Sequence, residues 1–311
     1  MSTVDKASPV AIIDAPSGPP RYARSLWRDA LTHLLRDRLT LLAIACLLAM
    51  TLIALLLPFY VENTLGLDGN RTSIPQRFKV PGEDGALLGT DHLGRDQFLR
   101  LVYGGRISLA IAYSASFVII VTGGTLGLVS GYFGGVVDDL IMWLINVLSS
   151  VPTLFILLVA SALWEPSPEI LIIILAVLGW FGTCRLVRGE VLSIRERDYV
   201  LAARALGASN GRLIFFHIFP NVFSLLIVTG TIIAGNLILI ESGLSYLGVG
   251  VQPPTPTWGN MLTDSRNYFV TGVHLIVWPG ILIMITVLCF YLIGDGLRDA
   301  LDPRRKHGMD K

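Results

Sequence analysis

The stretch "DYVLAARALGASNGRLIFFHIFPN", Asp198 to Asn221, decides how this chain is read. It separates two runs of membrane-grade hydrophobicity, yet it is mixed in polarity, holds two arginines and nearly closes on a proline. Asp198 to Leu206 is rich in helix formers, namely Ala202, Ala203, Arg204, Ala205 and Leu206. Gly207 is a natural stop, because glycine takes the left-handed cap conformation without steric cost. Ser209 or Asn210 then caps a second short helix, expected to lay Leu213, Ile214, Phe216 and Phe219 on the bilayer surface. Pro220 suits the first turn of the membrane helix that follows. Ala203 and Gly207 fall on one face at i and i+4, and small residues there admit close approach by another protein. The alternative is an ordinary amphipathic connector.

Composition identifies the solvent around this segment. Of 311 residues, 53% are hydrophobic and 15% charged, with mean hydropathy +0.65; soluble domains carry about 25% charged residues. The chain is expected to be an all-α membrane protein, since backbone groups in lipid must be paired internally. A net charge of +1 provides no concentrated basic face, so nucleic acid is not an expected partner. Cys46, Cys184 and Cys289 lie far apart in apolar runs and read as packing residues.

At about 20 apolar residues per span of a ~30 Å core, six runs qualify: residues 39–60, 107–130, 140–163, 169–189, 222–249 and 274–297. Six spans put both termini on one side. The polar stretch 1–38 ahead of the first run is unlike a cleaved signal peptide. Of the 24 lysines and arginines, 17 fall in the tail through Arg38, in the segments after spans four and six, or at the ends of those spans. The positive-inside rule therefore makes both termini, and the opening stretch, cytoplasmic. The expected layout is a cytoplasmic tail 1–38, a first transmembrane helix 39–60, an extracytoplasmic loop 61–103, a five-helix core 104–297 with a coupling loop at 190–220, and a cytoplasmic tail 298–311.

The order of residues in the opening stretch carries more than its composition. Ala202-Ala203, three residues, Gly207, nine residues, then His217-x-Phe219-Pro220 resembles the EAA motif of importer-type ABC transporter permeases. Leu201 stands where Glu is usual, His217 where Ile is and Phe219 where Leu is, so the contact made through that Glu is not carried over. "LGTDHLGRDQFLRLVYGGRISL" (Leu88 to Leu109), "ESGLSYLGVGVQPPTPTWGNML" (Glu241 to Leu262) and "GDGLRDALDPR" (Gly294 to Arg304) look like signatures of the dipeptide, oligopeptide and nickel importer permeases of the OppC and DppC kind. The resemblance implies a type I ABC importer transmembrane fold in the bacterial inner membrane. Ala202, Ala203, Arg204, Gly207 and Pro220 would then belong to a coupling helix that docks on an ATPase subunit. It also implies a homologous second permease, one or two ATPase subunits that hold ATP and magnesium, an extracytoplasmic solute-binding protein and surrounding lipid. The solute would be a di- or oligopeptide, or alternatively nickel or another small solute.

The same stretches can be read without the family. Thr90 or Asp91 is expected to cap a helix starting near His92, with Arg95, Arg100 and Arg106 on a polar side that lies at the outer interface. Pro253, Pro254 and Pro256 forbid a continued helix, so span five should end in a rigid loop. Gly123, Gly127 and Gly131 share one helix face and permit close packing. Pro152 and Pro279 are expected to kink their helices. Glu241, an acidic residue well inside an apolar run, is expected either on a translocation path or as a group that fixes the fold. None of the four lysines follows a glycine, so the chain has no GxxxxGK[ST] phosphate loop and is not expected to be an enzyme or to hold a cofactor itself. Two rival classes remain: an ion-coupled secondary transporter, and an intramembrane protease built on Ser245 and His274.

Overall fold

A computed structural model describes residues 31–65 and 71–301. Most of the expected 1–38 tail, and the end of the 298–311 tail, lie outside the described residues. Within them the chain is helical and has no strand. The helices are α1 (Arg38–Tyr60), α2 (Gln97–Phe133), α3 (Gly135–Ser149), α4 (Thr153–Leu163), α5 (Pro168–Arg195), α6 (Asp198–Ala205), α7 (Asn210–Tyr246), α8 (Trp258–Ser265) and α9 (Val273–Leu301).

Local chemistry sets most of their ends. The carboxylate of Asp37 accepts from the Leu39 N–H at 3.1 Å to cap α1, and that of Asp96 accepts from the Leu99 N–H at 2.9 Å to cap α2. Ser167 caps α5 ahead of Pro168, whose missing N–H costs nothing in a first turn. Gly134 stops α2 at φ +65°. The cap at Asp96 corrects the expected helix start near His92, which lies instead in a loop of tight turns.

Among the described residues five helices, α1, α2, α5, α7 and α9, are long and apolar enough to cross a membrane. A sixth span exists only if α3 and α4 count as one, and these are bent by 71° relative to each other. The run 140–163 is therefore broken at Pro152, not merely kinked. Pro152 adopts an extended ψ of 129° ahead of α4, having neither an N–H to continue the ladder nor room for its ring inside one. Pro279, by contrast, sits inside α9, which continues past it.

The expected bilayer-surface helix after Gly207 is not a separate element. Asn210 leads through a π-helical turn, Leu213–Ile218, directly into the span, and the wider turn lies where the Pro220 ring would crowd the preceding carbonyls. Leu213 and Ile218 are buried in this turn, while Phe215 and Phe216 are exposed.

Helices α2 and α5 pack along the glycine face read from the sequence. A Cβ on Gly123 would sit 2.7 Å from Thr183 Cβ, on Gly127 2.6 Å from the Cys184 carbonyl oxygen, and on Gly131 2.8 Å from Val191 Cβ. The same arrangement buries Val187, Val191 and Ile194. Helix α1 packs on α9, where a Cβ on Gly296 would run into the Thr40 side chain, and is tied to α2 by a 3.0 Å hydrogen bond between Thr51 and Tyr113 hydroxyls. Thirty-seven residues of α2, about 55 Å at 1.5 Å per residue, run from the neighbourhood of α8 to that of α6, so those two short helices mark opposite ends of the bundle.

Candidate functional site

At the α6 end, Val200 is completely buried among Tyr132, Val187, Val191, Ile194, Leu213 and Ile218. Ala203, one turn on, is half-buried against the same cluster. Gly207 has φ +84°; its N–H donates to the Arg204 carbonyl at 3.0 Å and the Ala208 N–H to that of Ala203 at 3.1 Å, a paired closure that an L residue reaches only with strain. These placements split the small-residue face expected from the sequence. Ala203 is turned toward its own subunit because Val200, at i−3, anchors that side of the helix, while Gly207 is exposed and a Cβ there would meet nothing within 4 Å. Ala202, Leu201 and Leu206 face outward, Leu206 at 88% exposure. Pro220 lies at the start of the straight part of α7.

Arg204 is exposed and lies over the end of α2. Its guanidinium carbon lies 6.0 Å from the Tyr132 ring centroid, at the reach of a cation–π contact. The Tyr132 hydroxyl donates to Asn210 Oδ1 at 2.8 Å. Beside it, Arg188 holds Asp138 with two bonds of 2.5 and 2.6 Å, the Ser130 hydroxyl donates to the same carboxylate at 2.5 Å, and Arg195 Nη1 donates to the Gly131 carbonyl at 2.9 Å. The last turn of α2 is thus the junction of α3, α5, α6 and α7.

Above this junction α2 and α7 enclose a groove of about 600 Å³. Tyr113, Phe117 and Gly124 on one side and Leu226, Gly230 and Ala234 on the other make it almost wholly apolar.

The α8 end holds a charge cluster that the sequence reading placed on a surface. Arg95 and Arg100 are buried, not lying along an interface, and only Arg106 is exposed. One carboxylate oxygen of Asp91 accepts from Arg95 Nε at 2.7 Å and Arg100 Nη1 at 2.6 Å; the other accepts from the Leu93 and Arg95 N–H groups at 2.8 and 2.9 Å. Asp264, on α8, completes the set 3.4 Å from Arg100 Nη2. Burial alone would push Asp91 up, but the Arg95 N–H and the charges of Arg100 and Arg95 outweigh it and hold its carboxyl below the usual range.

Glu241 lies nearby, fully buried. Its carboxylate accepts from the Ser245 hydroxyl at 2.8 Å and the Ser108 hydroxyl at 3.1 Å, and Ser108 Oγ accepts from the Trp258 N–H at 3.2 Å. Trp258 Nε1–H donates to the Leu101 carbonyl at 2.9 Å, and its ring would lie 2.8 Å from a Cβ on Gly105. Thr257 and Asn260 form a capping box that starts α8 at the end of the proline-rich loop. Glu241 is not among the residues lining the apolar groove. Ser245 is committed to Glu241, and His274 Nε2 contacts the Thr90 carbonyl at 3.3 Å, so a Ser–His pair is not assembled. Among the described residues no group of three or more His, Cys, Asp or Glu gathers to hold a metal.

Sequence reasoning missed Ser108, Tyr132, Asn210 as a side-chain partner, and the Asp91–Asp264 cluster. Each depends on a partner between 78 and 164 residues away.

Most of the chain is similar to known proteins. Residues 123–307 match the family described as binding-protein-dependent transport system inner membrane component, and residues 25–72 match the N-terminal TM domain of oligopeptide transport permease C. The dipeptide transport system permease protein DppC of Alkalihalophilus pseudofirmus is 36% identical over 97% of this chain and 99% of its own length. The oligopeptide transport system permease protein OppC of Haemophilus influenzae is 36% identical over 90% of this chain and 89% of its own. That of Bacillus subtilis is 35% identical over 90% of each. A chain of the MetNI methionine ABC transporter, solved in inward-facing conformations, superposes with a TM-score of 0.55 at 19% identity, covering 66% of this chain and 97% of that one.

Proposed function

Because the chain belongs to the family of binding-protein-dependent transport system inner membrane components, we propose that this permease subunit forms the membrane pathway for di- or oligopeptides in an ATP-driven importer. The observation that carries the solute class is the likeness, over nearly the whole chain, to a dipeptide permease, with oligopeptide permeases at similar identity. Its partners are a second homologous permease, one or two ATPase subunits that hold ATP and magnesium, and an extracytoplasmic solute-binding protein. Helix α6 and the Gly207 turn form the coupling element, with both termini cytoplasmic. Support for that role comes from exposure: Ala202, Leu201 and Leu206 present an apolar face on a short helix whose other side is anchored by Val200. We read Glu241 as fixing the fold, since hydroxyls of its own subunit enclose it.

The test is uptake by proteoliposomes holding the complex assembled with its cognate ATPase and solute-binding subunits. Labelled di- and pentapeptides should enter only with ATP inside the compartment that the ATPases face. Uptake driven by an ion gradient without ATP would make it a secondary transporter, and uptake of nickel but not peptide would replace the solute class.

A further inference from the structure

We infer that Tyr132 and Asn210 form a latch through which movement of α6 is passed to α2, the helix that walls the apolar groove. The inference rests on the coupling reading of α6 given above and adds the residues that carry the motion into the membrane.

Side-chain hydrogen bonds tie α2 to α7 at both ends: Ser108 to Glu241 near α8, and Tyr132 to Asn210 near α6. They are about 36 Å apart along α2, at 1.5 Å per residue. Between them lies the groove, whose apolar walls can separate without breaking polar bonds. The two ties are not equivalent. Glu241 is sealed from water, and opening its tie would leave the carboxylate oxygen that accepts from Ser108 without that donor and with no water to replace it, Ser245 holding only the other oxygen. Asn210 is exposed, so water replaces the lost partner when its tie opens. Helices α2 and α7 therefore part from the α6 end, pivoting about Ser108 and Glu241.

Tyr132 is placed to control that parting. Its ring lies under Arg204, before the Gly207 turn, and its hydroxyl holds Asn210, after the turn. The ring also belongs to the cluster that encloses Val200 and Ala203. One side chain at the end of α2 thus grips α6 and the first residue of α7 together. Force applied to the exposed face of α6 reaches α2 through this grip. Tyr132 and Asn210 are positioning residues and touch no solute.

The experiment compares Tyr132→Phe, Asn210→Ala and the double variant in the full complex reconstituted in proteoliposomes, reading solute transported per ATP hydrolysed in each assembled complex. Each single change should lower that ratio about two- to tenfold, the factor one ordinary hydrogen bond is worth. The double variant should be no worse than the worse single one, because both remove the same bond. A ratio that stays at the wild-type value, with only the yield of assembled complex reduced, would make the pair a stability contact and overturn the latch. Effects that multiply in the double variant would overturn it as well. Ala202→Trp, on the outward face of α6, separates the two readings. If it leaves transport and ATP hydrolysis coupled as in the wild type, α6 is not the docking element and the latch falls with it; if it uncouples them while the latch variants do not, the latch alone is wrong.

Discussion

Replacing Gly127 by alanine should destabilise the chain, while the same change at Gly182 should not. Both glycines lie in helices that pack against each other, Gly127 in α2 and Gly182 in α5. Each gains the helix preference of alanine, worth up to about 1 kcal/mol. They differ in what the new methyl group meets. At Gly127 it would sit 2.6 Å from the Cys184 carbonyl oxygen and 2.8 Å from Val187 Cβ, distances at which backbone must move; at Gly182 nothing lies within 4 Å. Forcing a methyl group into such a contact costs about 1–3 kcal/mol. The net expectation is a loss of roughly 0–2 kcal/mol at Gly127 and a gain of up to about 1 at Gly182. Their difference cancels the helix preference and isolates the packing cost. The assay is thermal unfolding of the isolated chain in detergent, where no second permease covers Gly182. Equal midpoints for the two variants would show that α2 and α5 do not approach as closely as the glycine face requires.

Arg100→Met removes one of the two cations on buried Asp91 and should destabilise the chain by about 3–5 kcal/mol, the cost of breaking a buried pair; an unchanged unfolding midpoint would refute the cluster. Asp91 also sets an acid response. Its pKa is depressed in the folded chain, so the stability it contributes is whole above its ordinary value of 3.8 and is lost as pH falls through the folded value. The unfolding midpoint of the wild type should therefore fall more steeply below about pH 4 than that of Asp91→Asn, and parallel curves would contradict it. Orientation is tested with cysteines at exposed Asp84 and Glu196 in a chain from which Cys46, Cys184 and Cys289 have been removed. An impermeant thiol reagent outside intact cells should label the first and not the second; the reverse pattern would invert the topology and detach α6 from any cytoplasmic ATPase.

Much of the fold was legible because its signals are local. Five of the six apolar runs, the Gly207 stop and the Gly123–Gly127–Gly131 face all follow from neighbours within a few turns, and the structure keeps each of them, while Pro220 opens the straight part of α7 rather than its first turn. The break at Pro152 was under-read for a related reason. A hydropathy window sums over the run 140–163 and is blind to one residue turning extended, so two helices of 15 and 11 residues appear as one span. The continuity of Asn210–Ile218 with the rest of α7 was missed because a π-helical turn ahead of a proline leaves no periodic trace in the sequence.

The candidate site was less legible, and charge explains why. Arginines spaced along an amphipathic stretch read as a wet face, since the cost of burying a lone guanidinium forbids anything else. Arg95 and Arg100 escape that cost through Asp91 nearby and through Asp264, which lies 164 residues beyond Arg100. No periodicity connects the two. The same limit governed α6, where Ala203 and Gly207 share a face by spacing, but which way that face turns depends on Val200, and Val200 is drawn inward by Leu213 and Ile218 across the glycine turn. Side-chain identity thus fixed what the helix is, and partners across the turn fixed which side it offers. If that account is right, Val200→Asp should rotate or release α6 and uncouple transport even though no outward residue has changed; a Val200→Asp complex that transports normally would mean that α6 holds its orientation without this anchor.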